Sequence, residues 1–212
     1  SVWQGIPYAA APVGELRWKA PRPVTPWEGQ LQALRPGNEC ATQPRSTSSE
    51  NQSVDGNEDC LFLNVFAPAN AENLPVMVWI HGGANTRGSG SIMLYEGSLL
   101  AARHQVVLVS INYRLGNFGW LSHPALRSAA ASLEDNSGNY GTLDQVQGLK
   151  WVRDNIARFG GNPDKVTIFG ESAGGWNVLA LMASPMAKGL FHGAIVQSGG
   201  LDIEPLWVAE NY

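Results

Sequence analysis

The stretch Gly170-Glu171-Ser172-Ala173-Gly174 places a serine between glycines two residues before and two residues after it. The residues preceding it, Val166-Thr167-Ile168-Phe169, read as a short apolar strand, and from Ala173 a helical pattern runs to about Ala183. A serine held on a strained strand-to-helix turn needs small neighbours at those two positions, because backbone crowds the turn there. Its hydroxyl then projects from the end of a sheet, and the next N–H sits at a helix N-terminus facing developing negative charge. That is the equipment of a nucleophilic serine. The plain alternative is an ordinary glycine-rich turn between strand and helix.

A second candidate lies directly after another apolar strand, in His81-Gly82-Gly83-Ala84. Glycine there lets backbone N–H groups turn inward unobstructed, where they can bind the oxyanion of a tetrahedral intermediate. Alone, His-Gly-Gly is only a turn. Upstream of a serine elbow it gains meaning, since ester chemistry on such a scaffold needs both parts in that order.

The elements that must position these turns follow from apolar runs. Leu61 to Ala67, Val76 to Ile80, Val106 to Ile111, Val166 to Phe169 and Ala194 to Val196 read as strands, several of them apolar on both faces. A helix is expected over about Thr142 to Phe159, with Leu149, Val152, Ile156 and Phe159 on one stripe. Thr142 and Gln145 have capping-box spacing, and Gly160-Gly161-Asn162-Pro163 ends the pattern. Strand, helix, strand, helix, strand implies right-handed crossovers and a largely parallel central sheet. The expectation is one α/β unit over residues 1–212, in which residues 1–60 form an irregular lead-in with a loop between cysteines. Residues 61–212 carry the sheet and helices. No repeat and no linker divides it.

Composition supports a single sizeable core and excludes other classes. The 212 residues are 44% hydrophobic and only 15% charged, with 24 glycines and 13 prolines, which favours a turn-rich fold over a helical bundle. A formal net charge of −4 gives no basic footprint for nucleic acid. No run approaches the roughly 20 apolar residues of a membrane span. The opening Ser1-Val2-Trp3-Gln4 reads as neither a signal leader nor a transit peptide, although a leader removed earlier leaves no trace. The two cysteines, Cys40 and Cys60, bracket a polar stretch that a disulfide would pin at its ends. Such a bond, worth roughly 3 kcal/mol in the chain-entropy model, favours an oxidising compartment, as does the sequon Asn51-Gln52-Ser53. Two unrelated thiols and a chance sequon are the alternative. A secreted or periplasmic location is the expectation. No metal or organic cofactor is implied, since no zinc-ligand spacing and no phosphate-binding loop occurs.

Seven stretches together carry a family resemblance. They are Gly5-Ile6-Pro7-Tyr8-Ala9, Glu58-Asp59-Cys60-Leu61, His81-Gly82-Gly83, Asn112-Tyr113-Arg114-Leu115-Gly116, Asn139-Tyr140-Gly141 with Asp144-Gln145, Gly170 to Gly175, and Gln197-Ser198-Gly199. In this order, over nearly the whole chain, the sequence resembles the amino-terminal part of a type-B carboxylesterase, the α/β-hydrolase family that includes cholinesterases. The resemblance implies Ser172 as nucleophile and the N–H groups of Gly83, Ala84 and Ala173 as oxyanion donors. It pairs Cys40 with Cys60, and makes Arg17–Glu58 and Arg114–Asp144 structural ion pairs. Glu171 would tune the pocket's electrostatics without transferring protons. Where family members carry aromatics after the oxyanion turn, this chain has Asn85-Thr86-Arg87-Gly88. Thr86 or Arg87 is then placed to meet a polar or anionic substrate group, unless Arg87 simply points into solvent. The loop between the cysteines is expected over the pocket mouth. The eight tryptophans either line an acyl pocket or, as is commoner, belong to the core.

A serine nucleophile also needs a base and an orienting acid, which in this fold follow it in the chain. His192 is the one histidine after Ser172, and its position before a strand favours a locally bonded role. His81 is expected to be structural, His104 to end a helix and His123 to sit in a loop; Asp202, Glu204 and Glu210 come too soon after the serine. The chain is also less than half the usual family length, and the family's opening strands are expected to be absent. The expectation is therefore an α/β-hydrolase piece that carries nucleophile and oxyanion turn, with acid and histidine supplied by a remaining carboxyl-terminal part. Its partners would be that part and a small-molecule ester. A catalytically inactive fragment or binding domain is the competing reading.

Overall fold

Alternation along four strands decides which way the protein folds. Residues 63, 65, 76, 78, 80, 107, 109, 111, 166 and 168 are fully buried apolar side chains on one face of a sheet. The computed structural model describes residues 1–42, 55–200 and 205–209. Among them the strands are β1 (Val2–Pro7), β2 (Phe62–Phe66), β3 (Leu74–Ile80), β4 (Val107–Ile111), β5 (Gly161–Glu171) and β6 (Gly193–Gln197). They form one sheet in the order β1-β2-β4-β3-β5-β6. β4, β3, β5 and β6 run parallel, while β2 pairs antiparallel with β4 and β1 antiparallel with β2. The sheet is thus mostly parallel, with an antiparallel edge.

That edge corrects the irregular lead-in expected over residues 1–60. β1 occupies its first residues, because Ile6 packs into the core opposite Leu63 and Trp3 stands edge-on to Phe159 at 4.9 Å. Composition hid the strand: Gly5, at φ 72, interrupts its pattern where the register shifts.

The helices are α1 (Ser98–His104), α2 (Gly116–Gly119), α3 (Pro124–Ser128), α4 (Tyr140–Asn155), α5 (Ala173–Ala183) and α6 (Leu206–Ala209). α4 continues into a 3-10 turn at Ile156–Phe159 and stops at Gly160, whose φ of 82 suits glycine. The helix begins two residues before the expected capping box, so Thr142 and Gln145 lie inside it. Tertiary contacts override the local signal: Gly141 lets the Trp120 ring approach, and Asp144 and Gln145 are wholly buried. Leu149, Val152 and Ile156 fill the main core as the stripe predicts. α5 has the expected bounds. The tryptophans mostly serve packing: Trp3, Trp18, Trp79, Trp120 and Trp151 each pair with another aromatic ring. Cys40 and Cys60 form a disulfide, both residues buried. The sequon, most of the loop between the cysteines, and Asp202, Glu204 and Glu210 lie outside the described residues.

Candidate active site

β5 ends at Glu171 and α5 begins at Ala173, so Ser172 alone makes the turn between them. Its φ of 56 and ψ of −123 lie where a residue with a Cβ is disfavoured, a local strain of order 1–3 kcal/mol. The surroundings fix it. The Ser172 N–H donates to the Gln197 carbonyl at 2.9 Å, and the Ser172 carbonyl accepts from Trp176 N–H at 3.1 Å. The flanking glycines are steric requirements. A Cβ on Gly170 would lie 2.5 Å from backbone of Gly174, and one on Gly174 would lie 2.1 Å from the Ile80 carbonyl oxygen. Ala173, first residue of α5, has an N–H without a carbonyl partner in its own helix.

The turn after β3 stands directly against this elbow. A Cβ on Gly82 would come within 3.3 Å of Ser172 Cβ and 2.6 Å of the Glu171 carbonyl oxygen. Gly83, Ala84 and Asn85 follow with φ of 111, 55 and 56, three consecutive residues in the left-handed region. Among the described residues neither the Gly83 nor the Ala84 N–H donates to a backbone carbonyl, while the Gly83 carbonyl accepts from Thr86 and Arg87.

His81 underpins the turn. It is buried, stacked on Tyr113 with ring centres 4.3 Å apart, and its Nδ1 donates to the Gly82 carbonyl at 2.8 Å. Burial pulls its pKa down to about 4 and keeps the ring neutral. Tyr113 in turn donates its hydroxyl to the His81 carbonyl at 2.6 Å, and burial pushes that phenol up. The segment after β4 holds the far side. Asn112 Oδ1 accepts from Gly90 N–H at 2.8 Å, and Gly116 N–H donates to the Asn85 carbonyl at 2.6 Å. Arg114 anchors this segment by a buried bidentate pair with Asp144, at 2.8 and 2.7 Å, its own N–H adding a third bond at 3.1 Å. Arg17 and Glu58 also pair bidentately, in a more exposed position, at 2.5 Å.

Thr86 and Arg87 are exposed at the end of the turn. The Thr86 hydroxyl donates to Gly83 at 3.3 Å, and its carbonyl accepts from the Thr42 hydroxyl, which brings the neck of the disulfide loop to this rim. No histidine is brought to Ser172 among the described residues. His192 is exposed and bonds Val166 N–H at 3.2 Å, roughly 20 Å down β5 from the elbow at strand rise. His123 caps α3 through Ala125 N–H, and His104 closes α1. Sequence reading overlooked Asn85, Asn177 and Thr42. Nothing marked Thr42 or Asn177; Asn85 alone carried a sign, as an asparagine, which tolerates left-handed backbone, directly after a glycine-rich turn.

Comparison with known proteins places the chain. The carboxylesterase family profile matches residues 1–208. The para-nitrobenzyl esterase of Bacillus subtilis (strain 168) is 52% identical over 200 residues, covering 93% of this chain and 40% of that protein. The Homo sapiens cocaine esterase is 47% identical over 206 residues, covering 92% and 35%. The solved structure of a PNB esterase superposes with a TM-score of 0.81 over 93% of this chain and 40% of its own, at 52% identity. A Geobacillus stearothermophilus carboxylesterase does so with 0.80, over 93% and 39%, at 47% identity. The chain spans about 40% or less of the length of these relatives. The mostly parallel sheet, the elbow and the overlay together give an incomplete α/β-hydrolase fold. The chain belongs to the carboxylesterase family.

Proposed function

We propose that this chain carries the acyl-transfer half of a carboxylic ester hydrolase. Ser172 attacks the ester carbonyl carbon, the alcohol leaves, and water later hydrolyses the acyl-serine. The N–H groups of Gly83, Ala84 and Ala173 receive the oxyanion, a contribution of about 3 kcal/mol per donor in comparable sites. The observation that carries this reading is the close approach of the Gly82 turn to a serine held at φ 56 on a strand-to-helix turn. Loss of one proton from the hydroxyl during attack needs a base, and none of the described histidines is hydrogen-bonded to Ser172. The base and its orienting acid therefore come from a carboxyl-terminal part of the same enzyme, in one polypeptide or as a second chain.

Thr86 and Arg87 border the alcohol or acyl side and favour esters bearing a polar or anionic group, the guanidinium being suited to a carboxylate. The buried Cys40–Cys60 disulfide supports a secreted or periplasmic setting. The test is hydrolysis of a short-chain p-nitrophenyl ester by this chain alone and joined to the carboxyl-terminal part of a relative, each beside Ser172→Ala. Turnover abolished by Ser172→Ala in the joined protein alone is the expected result. Turnover that survives Ser172→Ala would sink the reading. Arg87→Ala should narrow any preference for anionic over neutral esters; an unchanged preference removes Arg87 from the substrate site.

A further inference from the structure

The turn that faces Ser172 is an improbable piece of backbone. Ala84 carries a Cβ that this conformation disfavours, and it stands between two further left-handed residues, Gly83 and Asn85. Something other than local preference must hold it. The nearest candidate is on the opposite wall of the site. Asn177 lies on α5, about one and a half turns after Ser172, and is 4% exposed. Its Nδ2 donates to Asn85 Oδ1 at 2.9 Å, across 92 residues of sequence. The Asn85 carbonyl is taken at the same time by Gly116 N–H. Asn85 is thus fixed through side chain and main chain at once, immediately after the N–H of Ala84.

We propose that Asn177 is a positioning residue that locks the Gly83–Asn85 turn to the Ser172 elbow through the Asn85 carboxamide. Both walls of the site then move as one body: the helix that begins at the serine also carries the clamp on the donors. If the bond breaks, the buried Asn177 carboxamide loses a partner it cannot replace with water, so the bond holds the half-buried Asn85 side chain in place. The catalytic consequence rests on the oxyanion role given to this turn above.

The test is a double-mutant cycle on Asn85→Ala, Asn177→Ala and the pair, read by deuterium uptake of the Gly83–Arg87 amides. Each single substitution should speed exchange about fivefold to tenfold; the pair should do no more than either single. Asn85→Asp keeps the acceptor and should retain native protection, which separates loss of the bond from general damage. Additive effects, or exchange unchanged in either single variant, would overturn the proposal. In the protein joined to a carboxyl-terminal part, kcat for a p-nitrophenyl ester should fall by a similar factor with KM unchanged. Faster exchange with native kcat would also overturn it. If the native joined protein shows no Ser172-dependent turnover, the ester reading fails, while the exchange cycle still decides the clamp.

Discussion

The elbow at Ser172 and the turn at Gly83–Asn85 hold comparable strain by different means. Around the elbow, backbone meets backbone: Gly170, Gly174 and Gly175 lack a Cβ because carbonyl or main-chain atoms of β3, α5 and β6 stand within 3 Å of where it would be. Around the turn, the fixing groups are hydrogen-bond partners from distant segments, side chains and one backbone N–H. Tyr113 holds the His81 carbonyl just before it, Asn177 and the Gly116 N–H hold Asn85, and the ion pair Arg114–Asp144 anchors the segment that carries Gly116. Steric fixing tolerates no larger residue and yields abruptly. Hydrogen-bonded fixing loosens in steps, and each step can be measured separately.

The largest expected effect is on the anchor behind the turn. Asp144→Ala leaves the Arg114 guanidinium, 3% exposed, with no counter-charge and should cost about 4 kcal/mol in urea unfolding. Arg114→Met in the same chain should recover much of that, because the uncompensated charge is gone. A loss below about 1 kcal/mol would mean the pair does not anchor the segment. Next comes the elbow. Gly174→Ala forces a methyl to within 2.1 Å of the Ile80 carbonyl and 2.9 Å of that of His81, and should cost about 3 kcal/mol. A near-native stability would show that α5 can slide, and that the steric account of the elbow is wrong.

The turn also has a pH dependence. His81 is neutral in the fold, with its pKa lowered from 6.5 to about 4 by burial under Tyr113. As pH falls, the unfolded chain takes up the proton first. Stability from this group is complete above pH 6.5 and is lost as pH drops towards 4, by about 3 kcal/mol in all. Urea unfolding of the native chain and of His81→Gln across that window isolates it: the native slope should be the steeper. Equal slopes would mean that the ring already finds a way to hold its proton in the fold.

The same contrast explains what the sequence could reveal. Steric fixing writes itself locally, as glycines two residues either side of Ser172, so the elbow and α5 were readable to the residue. The backbone turn after β3 was readable for the same reason, through Gly82 and Gly83. The groups holding the turn come from distant segments, Asn177 on α5 and Gly116 after β4, and no short spacing encodes them. β1 was hidden likewise, since Gly5 breaks its alternation and its partner β2 begins at Phe62. The capping box at Thr142 misled because burial of Tyr140, Gly141 and Asp144 extends the helix past it.

The smallest effect tests whether the disulfide loop belongs to the hydrogen-bonded side of this contrast. Thr42 lies two residues beyond Cys40, pairs with Asp55 across the neck of the loop, and gives its hydroxyl to the Thr86 carbonyl. The bond joins a covalently closed segment to the end of the turn whose Gly83 carbonyl already takes the Thr86 and Arg87 N–H groups. Thr42→Val removes the donor and keeps the shape, and should cost about 1 kcal/mol, read as faster deuterium uptake at Thr86 and Arg87. Thr42→Ser restores the hydroxyl and should restore the protection. Reducing the disulfide should reproduce the Thr42→Val effect at these two amides if the loop steadies the turn through this contact. Faster uptake on reduction in the native chain, with none in Thr42→Val, would instead route the coupling through Cys60 and β2.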